Sequence, residues 1–436
     1  MNKSGLIKSL AVIFLLFLCC QPLLASEDFE HILSLKEAVS LAAERNNHIK
    51  ALKKAIDVAA GTKAQAARLP NPELAIGFDE FGGSGQFAGT AVIKSSVGLA
   101  QTIVTAGKTR NKRRLAESDL QIARLDAGLG LLELQMNTAR FFIHVYFMQK
   151  LVELASQSAD LTRLATESIS RSVAAGEKPA IDETSAMVEL STAEAHLRQQ
   201  LRELEIARTD LAATWNCSHA EFSAVTLNVD QIDITPYLDS AVASESLQLY
   251  PGLAIAEEQV TRESRALKLS KSEASPDMTM AARVSRFRET GEQACEVELS
   301  FPLQVFDRNS ANIRANKAAL EKAQFEKKAF EVTLNARITR LHSQIESIGE
   351  ELANIRNGLI RLAERAELET QKAYEAGERD FHELLDAKRA LIDANKTELT
   401  LKCDLLQHIC ELAFLTGSQE NLFHSLSTLS KEATIE

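Results

Sequence analysis

The sequence AAGEKPAIDETSA, residues 174–186, returns about two hundred residues later as EAGERDFHELLDA, residues 375–387. Both stretches contain Ala-Gly-Glu, and Ala186 recurs as Ala387. Glycine permits the positive backbone angles that a helix reversal needs, so each stretch predicts the turn of a helical hairpin. The period is far too long for a solenoid repeat, and it indicates duplication of a whole structural half.

The segments that precede the two turns also match each other. Residues 101–108 correspond to residues 301–308, and residues 72–74 correspond to residues 276–278. Each match is weak alone, but all of them occur in the same order and at a nearly constant offset. The duplication therefore extends over the strand region as well as over the hairpins.

Each half is predicted to begin with a helix, at about Leu35 to Leu69 and at about Ser240 to Ser272. Prolines then end the helix, at Pro70 and Pro72 or at Pro276, because proline lacks the amide hydrogen and clashes in a helix interior. Two strands joined by a loop follow. A very long helix then runs to the Ala-Gly-Glu turn and returns as a second helix.

The strands alternate between apolar and polar residues, as expected of a sheet with two different faces. Their apolar members are Leu74, Ile76 and Phe78; Ile93, Val97 and Leu99; Met278, Met280 and Val284; and Cys295, Val297, Leu299 and Phe301. Each strand approaches the ~9–11 residues that cross a bilayer in a tilted barrel. A soluble sandwich would alternate in the same way. Four strands cannot close a barrel, so in a membrane several chains would have to share one.

Polar, glycine-containing loops join the strands of each pair. Residues 82–86 and residues 288–292 form these connections, and both suit water-exposed turns.

The long helices carry the apolar spacing of a coiled coil. The second-half series alternates steps of three and four residues without a slip, through Ile338, Leu341, Ile345, Ile348, Leu352, Ile355, Leu359, Leu362 and Ala366. The first half shows a weaker register at Phe147, Leu151, Leu154, Leu161 and Ala165. One helix from Asp307 to Ala376 would be on the order of 100 Å long at ~1.5 Å per residue.

Residues 1–25 have the three parts of an export signal. Lys3 and Lys8 are basic, an apolar core follows, and small residues end the segment. Lipid attachment at Cys19 or Cys20 is an open but less favoured alternative, because the residue before such a cysteine is normally small. Beyond the signal, residues 26–216 form the first predicted repeat, residues 217–246 a linker, residues 247–417 the second repeat and residues 418–436 a tail.

Four cysteines follow the signal, at Cys217, Cys295, Cys403 and Cys410. Cys403 and Cys410 share a helix face but are too far apart to bridge each other. There is no CxxC pair and no His/Cys cluster with zinc spacing, so unpaired packing cysteines and no metal site are predicted. A Cys217–Cys410 disulfide is also compatible with the sequence.

The composition argues against several classes of function. The formal net charge of −11 disfavours nucleic acid as a partner, since phosphate binding favours a basic surface. The histidines are scattered, and there is no GxSxG elbow, no phosphate-binding loop and no HExxH helix. Neither an enzyme nor a cofactor is therefore predicted.

Over nearly all of its mature length the chain resembles the TolC-like outer-membrane efflux proteins. The resemblance rests on the duplicated order of elements and on residues 69–74, residues 302–309 and residues 374–387. It implies an α+β membrane protein: a homotrimer in which each chain gives four strands to a twelve-stranded β-barrel in outer-membrane lipid. The helices would continue this barrel as a coiled-coil α-barrel across the periplasm. The corner at residues 302–309 resembles the branch that serves metal-cation and small-molecule pumps.

The resemblance also implies roles for single residues. Glu383 and Asp386 match two acidic residues that line a periplasmic constriction, although Glu383 stands where aspartate is more usual. Tyr374 and Arg379 match positions that hold the closed state. Adaptor docking is implied for the turns Ala175, Gly176 and Glu177, and Ala376, Gly377 and Glu378. The alternatives are solvated surface acids, an interfacial tyrosine with a surface arginine, and glycines needed only for the turn.

The function implied is that of a passive duct that exports small molecules or metal cations. Its partners would be a periplasmic adaptor and an inner-membrane pump, with the pump supplying energy. The alternative is a periplasmic coiled-coil adaptor or scaffold protein. An adaptor would usually insert one helical hairpin into one set of β-domains, whereas here each of two hairpins follows its own strand pair.

Overall fold

The computed structural model describes residues 31–229, 237, 250–419, 422–423 and 426. The predicted signal peptide with Cys19 and Cys20, part of the predicted linker and most of the predicted C-terminal tail lie outside these residues. In the described part, no helix combines the length and the apolar composition needed to cross a membrane.

The described elements occur in the predicted order, twice. The first set is β1 (Ile32–Leu33), α1 (Leu35–Arg45), α2 (Asn47–Ala66), β2 (Glu73–Asp79), β3 (Lys94–Ile103), α3 (Lys108–Ala174), α4 (Ala180–Ala213) and β4 (Ala224–Val225). The second set is α5 (Pro251–Glu273), β5 (Met278–Phe287), β6 (Gln293–Ser300), α6 (Ser310–Asn354), a π-helical segment (Ile355–Ile360), α7 (Arg361–Glu375) and α8 (Phe381–Thr416). Residues 240–249, where a helix start is predicted, lie outside the described residues.

The first predicted helix is in fact two helices, separated at Asn46. This residue is extended, with φ −63° and ψ 123°, and its side chain accepts hydrogen bonds from the amides of His48 and Ile49. The same side chain donates to the carbonyl of Thr214 at 2.8 Å. A single helix is therefore the wrong prediction here, because asparagine both caps the second helix and contacts a distant segment.

Strands β2, β3, β5 and β6 form one antiparallel sheet in that order, so the two halves join through β3 and β5. Ile93 and Phe301, predicted as strand residues, lie one position beyond the strand ends. Among the described residues, the outer edges of β2 and β6 have no partner strand. Each edge presents a row of backbone groups that another chain could pair with.

The two faces of the sheet differ in chemistry as predicted. One face is apolar and exposed, with Val297 74% exposed; its other members are Leu74, Ile76, Phe78, Val97, Leu99, Met280, Val284 and Leu299. The opposite face carries charge, and Lys94 pairs with Glu296 at 2.6 Å. Arg283 pairs on the same face with Glu298 at 3.4 Å. In water such an apolar face would be costly, so its exposure indicates that a membrane or another chain covers it.

The predicted loops at residues 82–86 and 288–292 lie at one end of the sheet. The Arg288 guanidinium donates at 3.2 Å to the hydroxyl of Thr90, which follows the first loop in the connection between β2 and β3, so the two connections contact each other. At the other end, Gly107 and Asn309 begin the long helices with positive φ values of 68° and 58°. These corners are therefore equivalent, and Gly107 corresponds to Asn309. The sequence match of residues 101–108 to residues 301–308 is two residues out of register with this correspondence.

The two long helical runs have nearly equal length. Helix α3 has 67 residues and is about 100 Å long at ~1.5 Å per residue. Helices α6 and α7 run continuously through the π-helical segment from Ser310 to Glu375, inside the predicted bounds of Asp307 and Ala376. Each run returns as a shorter helix, α4 or α8, and packs against it.

The π-helical segment moves the buried seam of the second hairpin by one residue. Up to Leu352 the buried positions follow the predicted series, but from the last residue of the segment onward they are Ile360 and Ala363. Leu359 and Leu362, predicted for the seam, are 48% and 66% exposed. The prediction of an unbroken register is wrong, because a π turn inserts one extra residue and rotates everything that follows.

The weaker seam predicted in α3 is confirmed only in part. Phe147 and Ala165 are buried as predicted, but Leu151, Leu154 and Leu161 are only half-buried. The buried line of this part of the helix consists of small residues, namely Ala155, Ala159, Thr162 and Thr166. Small residues let the neighbouring helices approach closely, so here size rather than hydrophobicity selects the buried position.

The main core lies where both hairpins pass the small sheet of β1 and β4. Its largest fully buried members are Phe142, Phe147, Phe414, Ile409 and Leu211. Cys403 and Cys410 belong to this core, and burial raises the pKa of their thiols to about 11 and about 12. All four described cysteines are free, so the alternative Cys217–Cys410 disulfide is not formed. The prediction of packing cysteines is confirmed for Cys403 and Cys410, whereas Cys217 is half-buried and Cys295 is exposed.

Candidate functional site

The two hairpin turns have the same backbone geometry. Gly176 and Gly377 have positive φ values of 78° and 77°. The amide of Glu177 donates to the carbonyl of Ser172 at 2.9 Å, and the equivalent bond at the second turn is 2.8 Å. This is the Schellman ending of a helix, which favours glycine at the left-handed position. The conformational reason for the glycines is confirmed, while docking at these exposed turns stays a prediction.

The second turn leads directly into the candidate constriction residues. Asp380 caps α8 by accepting a hydrogen bond from the amide of His382. Glu383 and Asp386 then lie in the first turns of α8, with side chains 43% and 74% exposed. Both carboxylates are therefore accessible to an ion or to another chain.

Each of these two carboxylates has its own arginine partner. Glu383 pairs with Arg379, the residue predicted to hold a closed state. Asp386 pairs with Arg389 at 3.5 Å. The site is thus two acid–arginine pairs rather than two free acids, and its negative charge is largely compensated within one chain.

Arg389 also bridges the two hairpins. One of its guanidinium nitrogens lies 3.2 Å from the Glu189 carboxylate on α4 and 3.4 Å from the Thr162 hydroxyl on α3. Sequence reasoning missed this residue. Its position three residues after Asp386 was the available signal, but the partners on α3 and α4 are visible only in the folded chain.

A polar cavity of about 310 Å³ lies between the two hairpins at this bridge. Charged and polar groups from both hairpins line it, including Thr166, Asp182, Glu189, His382, Asp386 and Arg389. A polar cavity between two packed hairpins leaves room for one to move against the other.

Tyr374 lies on the outer part of α7, next to the second turn. Its ring is 5.6 Å from the ring of Phe381, at an interplanar angle of 49°. This contact joins the two helices of the same hairpin. The predicted closed-state residues Tyr374 and Arg379 therefore both contact the start of α8.

One group of possible metal ligands comes together in the fold, although no His/Cys cluster with zinc spacing is predicted from the sequence. Cys217, His219 and Glu221 bring one possible ligand atom each to within 4.8 Å of one another. The spacing Cys-x-His-x-Glu differs from that of a zinc finger, so the sequence alone does not indicate it. This group lies in the loop that follows α4, away from the hairpin turns.

Comparison with known proteins gives concordant matches in sequence and in fold. The family model of the outer membrane efflux proteins matches residues 242–418. The chain is 27% identical over 362 residues to the cobalt-zinc-cadmium resistance protein CzcC of Cupriavidus metallidurans, covering 83% of this chain and 84% of that protein.

Two solved outer-membrane proteins share the fold, one of them described as a channel. The structure of Campylobacter jejuni CmeC superposes with a TM-score of 0.73 at 14% identity, covering 90% of this chain and 89% of that one. The structure of Vibrio cholerae VceC gives a TM-score of 0.72 at 15% identity, with coverages of 88% and 96%. At this level of identity the likeness concerns the arrangement of helices and strands.

Proposed function

We propose that three copies of this chain assemble into one export duct. The premise is that the chain belongs to the outer membrane efflux protein family. The chain is an outer-membrane efflux channel with a large periplasmic portion, and the family is one of channels rather than of enzymes. The number of copies, the shared barrel, the docking partners and the cargo are the proposed parts.

The four-stranded sheet is the observation that carries the assembly. Its apolar face is exposed, and the outer edges of β2 and β6 are unpaired among the described residues. Lipid does not tolerate open strand edges, so the edges must meet edges of other copies. Three sheets of four strands would close a twelve-stranded barrel, with the charged face toward a water-filled interior.

The hairpins would continue this barrel as a tube of helices across the periplasm. Several apolar side chains on the hairpins are exposed in the single chain, among them Val188, Phe325, Val332 and Leu362. Contact with neighbouring copies would bury them. The exposed turns at Gly176 and Gly377 would then form the far end of the tube, where an adaptor and its inner-membrane pump would dock.

At that end the three copies would place six carboxylates, from Glu383 and Asp386, around one opening. Such a ring attracts cations and opposes anions at a narrow point. The partner arginines Arg379 and Arg389 reduce this charge in the described state. Breaking those pairs on opening would expose the carboxylates to the passing ion.

The proposed cargo is divalent metal cations. The 27% identity to a cobalt-zinc-cadmium resistance protein over most of both chains supports this choice. Cells that lack this chain should accumulate Zn²⁺, Co²⁺ or Cd²⁺, measured by elemental analysis, and the restored gene should reverse the accumulation. Unchanged metal content together with accumulation of an organic dye would contradict a metal cargo and leave the duct itself in place.

Cys295 provides a direct test of the assembly. It lies exposed on the apolar face of β6, an edge strand. In the proposed barrel β6 meets β2 of the next copy, at the Cα separations of paired strands, which a disulfide can span. A cysteine at Leu74, Ile76 or Phe78, whichever comes opposite Cys295, should yield covalent trimers on oxidation, detected by non-reducing electrophoresis.

The matched control is Val97→Cys on the central strand β3. Val97 lies on the same apolar face, but its strand is already paired with β2 and β5. It should give no covalent trimer, and Cys295→Ser should abolish the trimers of the edge variants. A stable monomer without detergent, or trimers from Val97→Cys alone, would overturn the shared barrel.

A further inference from the structure

The loop after α4 brings together three possible metal ligands. It has no regular secondary structure and bends at Ser218 and His219. Cys217 is half-buried beside the main core, whereas His219 and Glu221 are exposed. Phe222 then returns the chain to the core. The folded loop therefore places a thiol, an imidazole and a carboxylate together at its surface.

The distances among these groups suit a metal ion. The Cys217 sulfur is 3.6 Å from a carboxylate oxygen of Glu221, and one ligand atom from each of the three residues lies within 4.8 Å of the others. Around a tetrahedral zinc ion with bonds of ~2.0–2.3 Å, neighbouring ligand atoms are about 3.3–3.8 Å apart. Small side-chain rotations are enough to bring all three groups to that spacing.

The backbone of this loop is fixed at both ends, so the three side chains are held close to one another. At its start, Asn216 has a positive φ of 61°, and the amide of Cys217 donates to the carbonyl of Ala212 at 3.1 Å. This is again a Schellman ending, which fixes the direction of Cys217. The Asn216 side chain also donates to the carbonyl of Arg45 at 3.0 Å.

The far end is anchored by packing and by β-pairing. Phe222 is buried, and its ring centroid is 6.2 Å from that of the buried Trp215. The amide of Ser223 donates to the carbonyl of His31 at 3.1 Å, next to the pairing of β1 with β4. Between the anchors, the Ser218 hydroxyl lies 3.4 Å from Nδ1 of His219, a contact that orients the ring.

We propose that Cys217, His219 and Glu221 bind one divalent transition-metal ion of the zinc type. A thiolate, an imidazole and a carboxylate suit Zn²⁺, Co²⁺ or Cd²⁺ better than Ca²⁺ or Mg²⁺, which favour oxygen ligands alone. Three protein ligands leave a fourth position open to water, as in exchangeable rather than structural zinc sites. The site is separate from the carboxylates near the hairpin turns, and it does not depend on the proposed export of metals.

Metal titration of the purified full-length chain in detergent, under reducing conditions, tests the site. With Zn²⁺ against a competing chelator, we expect one ion bound per chain. With Co²⁺, we expect a thiolate-to-cobalt charge-transfer band in the near-ultraviolet. Removing a residue that only hydrogen-bonds to a zinc ligand typically lowers metal affinity 10–100-fold. Replacing a ligand itself, as in His219→Gln or Glu221→Gln, should therefore lower the metal affinity at least about tenfold.

The cysteines provide the sharpest control. Cys217→Ser should abolish the cobalt band, whereas Cys295→Ser, which removes another accessible thiol, should leave it unchanged. Glu383→Gln with Asp386→Asn should leave the stoichiometry unchanged. Circular dichroism would verify folding, which the exposed position of His219 and Glu221 favours. Absence of saturable binding at one ion per chain, or binding that Cys217→Ser and His219→Gln leave unchanged, would overturn the proposal.

Discussion

At the scale of single residues, the charge of the candidate constriction depends on which arginine pairs with each carboxylate. Glu383 and Asp386 are accessible, but Arg379 and Arg389 neutralise them in the described state. Only Arg389 reaches beyond its own hairpin, to Glu189 and Thr162. An arginine can serve several acceptors at once because its guanidinium presents five donors in a fixed plane. We therefore assign Arg389 the role of a latch between the hairpins.

Replacing Arg389 with alanine should favour the open channel. Partly exposed ion pairs contribute up to about 1 kcal/mol, and losing that amount changes the ratio of closed to open states about fivefold. Single-channel recording in planar bilayers should show more frequent or larger openings with the trimer intact. Arg365→Ala is the control, because Arg365 pairs only with Glu369 of its own helix among the ion pairs described. Equal conductance of the two variants would count against the latch.

At the scale of elements, the π-helical segment is the feature that distinguishes the second hairpin. It joins two stretches of regular seam, with Ile345 and Leu352 buried before it, and with its own last residue Ile360 and then Ala363 buried in the stretch that follows. Both stretches pack against the return helix α8. The extra residue changes which side chains face α8, and it turns Leu359 and Leu362 outward to where a neighbouring copy would lie.

Deleting Gly358 should remove the extra residue of the π turn and keep both parts of the seam. Nothing lies within 4 Å of the position where its Cβ would be, so no packing is lost there. Deleting Ser347, in regular α6, should instead rotate all later seam residues out of contact. That loss should cost at least about 2 kcal/mol, the lower end for losing one buried leucine. Thermal unfolding followed by circular dichroism compares the two, and equal destabilisation would contradict the assignment.

The same segment is tied to α8 by a charge network around Glu398. This side chain is 14% exposed and pairs with Arg356 of the π segment at 2.7 Å and with Lys402 at 2.9 Å. Burial opposes ionisation of Glu398, but the hydrogen bonds from Arg356 and Lys402 outweigh it and lower its pKa below the ordinary value of 4.5. The network therefore holds best when the carboxylate is ionised.

A lowered folded-state pKa has a definite consequence for acid stability. The contribution of Glu398 is complete above its unfolded pKa, and it is lost as the pH falls through the lower folded pKa. Glu398→Gln should remove this pH-dependent part and cost about 1–3 kcal/mol at neutral pH, because the neutral amide keeps one acceptor oxygen but loses the charge that pairs with Arg356 and Lys402.

Unfolding measured at a series of pH values from neutral to acid provides the test. The stability of the wild-type chain should fall more steeply below pH ~4.5 than that of Glu398→Gln. Glu369→Gln, at an exposed pair with Arg365, should retain the wild-type slope. Parallel curves for the wild type and Glu398→Gln would rule out the network as a source of acid sensitivity.

At the scale of the whole molecule, the sheet needs two different environments at once. Val297 and Glu298 are adjacent on β6 and point to opposite faces. Val297 is 74% exposed and lies among apolar residues, whereas Glu298 lies next to Arg283. A barrel with lipid outside and water inside meets both needs, since it covers the apolar face and hydrates the charges. A single soluble chain would leave the apolar face in water.

Val297→Lys should therefore block membrane assembly. A lysine on the lipid face costs about 2–4 kcal/mol near the bilayer centre, and three copies would share the defect. Glu298→Lys changes the charge of the sheet more than Val297→Lys does, but on the face that the proposed barrel turns inward. This variant should therefore assemble normally and change only the ion selectivity. The fraction of trimer in isolated outer membranes measures both, and normal assembly of Val297→Lys would contradict the assignment of the apolar face to lipid.

Much of this architecture could be predicted because it follows from local rules. Alternation of residues around Val297 indicates a two-faced strand, the proline at Pro276 ends a helix, and Gly176 and Gly377 mark the reversals. Each of these signals lies within a few residues of the structure that it specifies. The duplicated order of elements then made the family resemblance possible before any contact was known.

The tertiary structure alone decided the features that depend on residues far apart in the chain. Asn46 contacts Thr214 at the point where the helix breaks, and Arg389 bridges the hairpins because Glu189 and Thr162 approach it from the other hairpin. Cys217, His219 and Glu221 come within 4.8 Å of one another only through the fold of their loop. Local propensity cannot anticipate such contacts, since the energy that selects them comes from packing between distant segments.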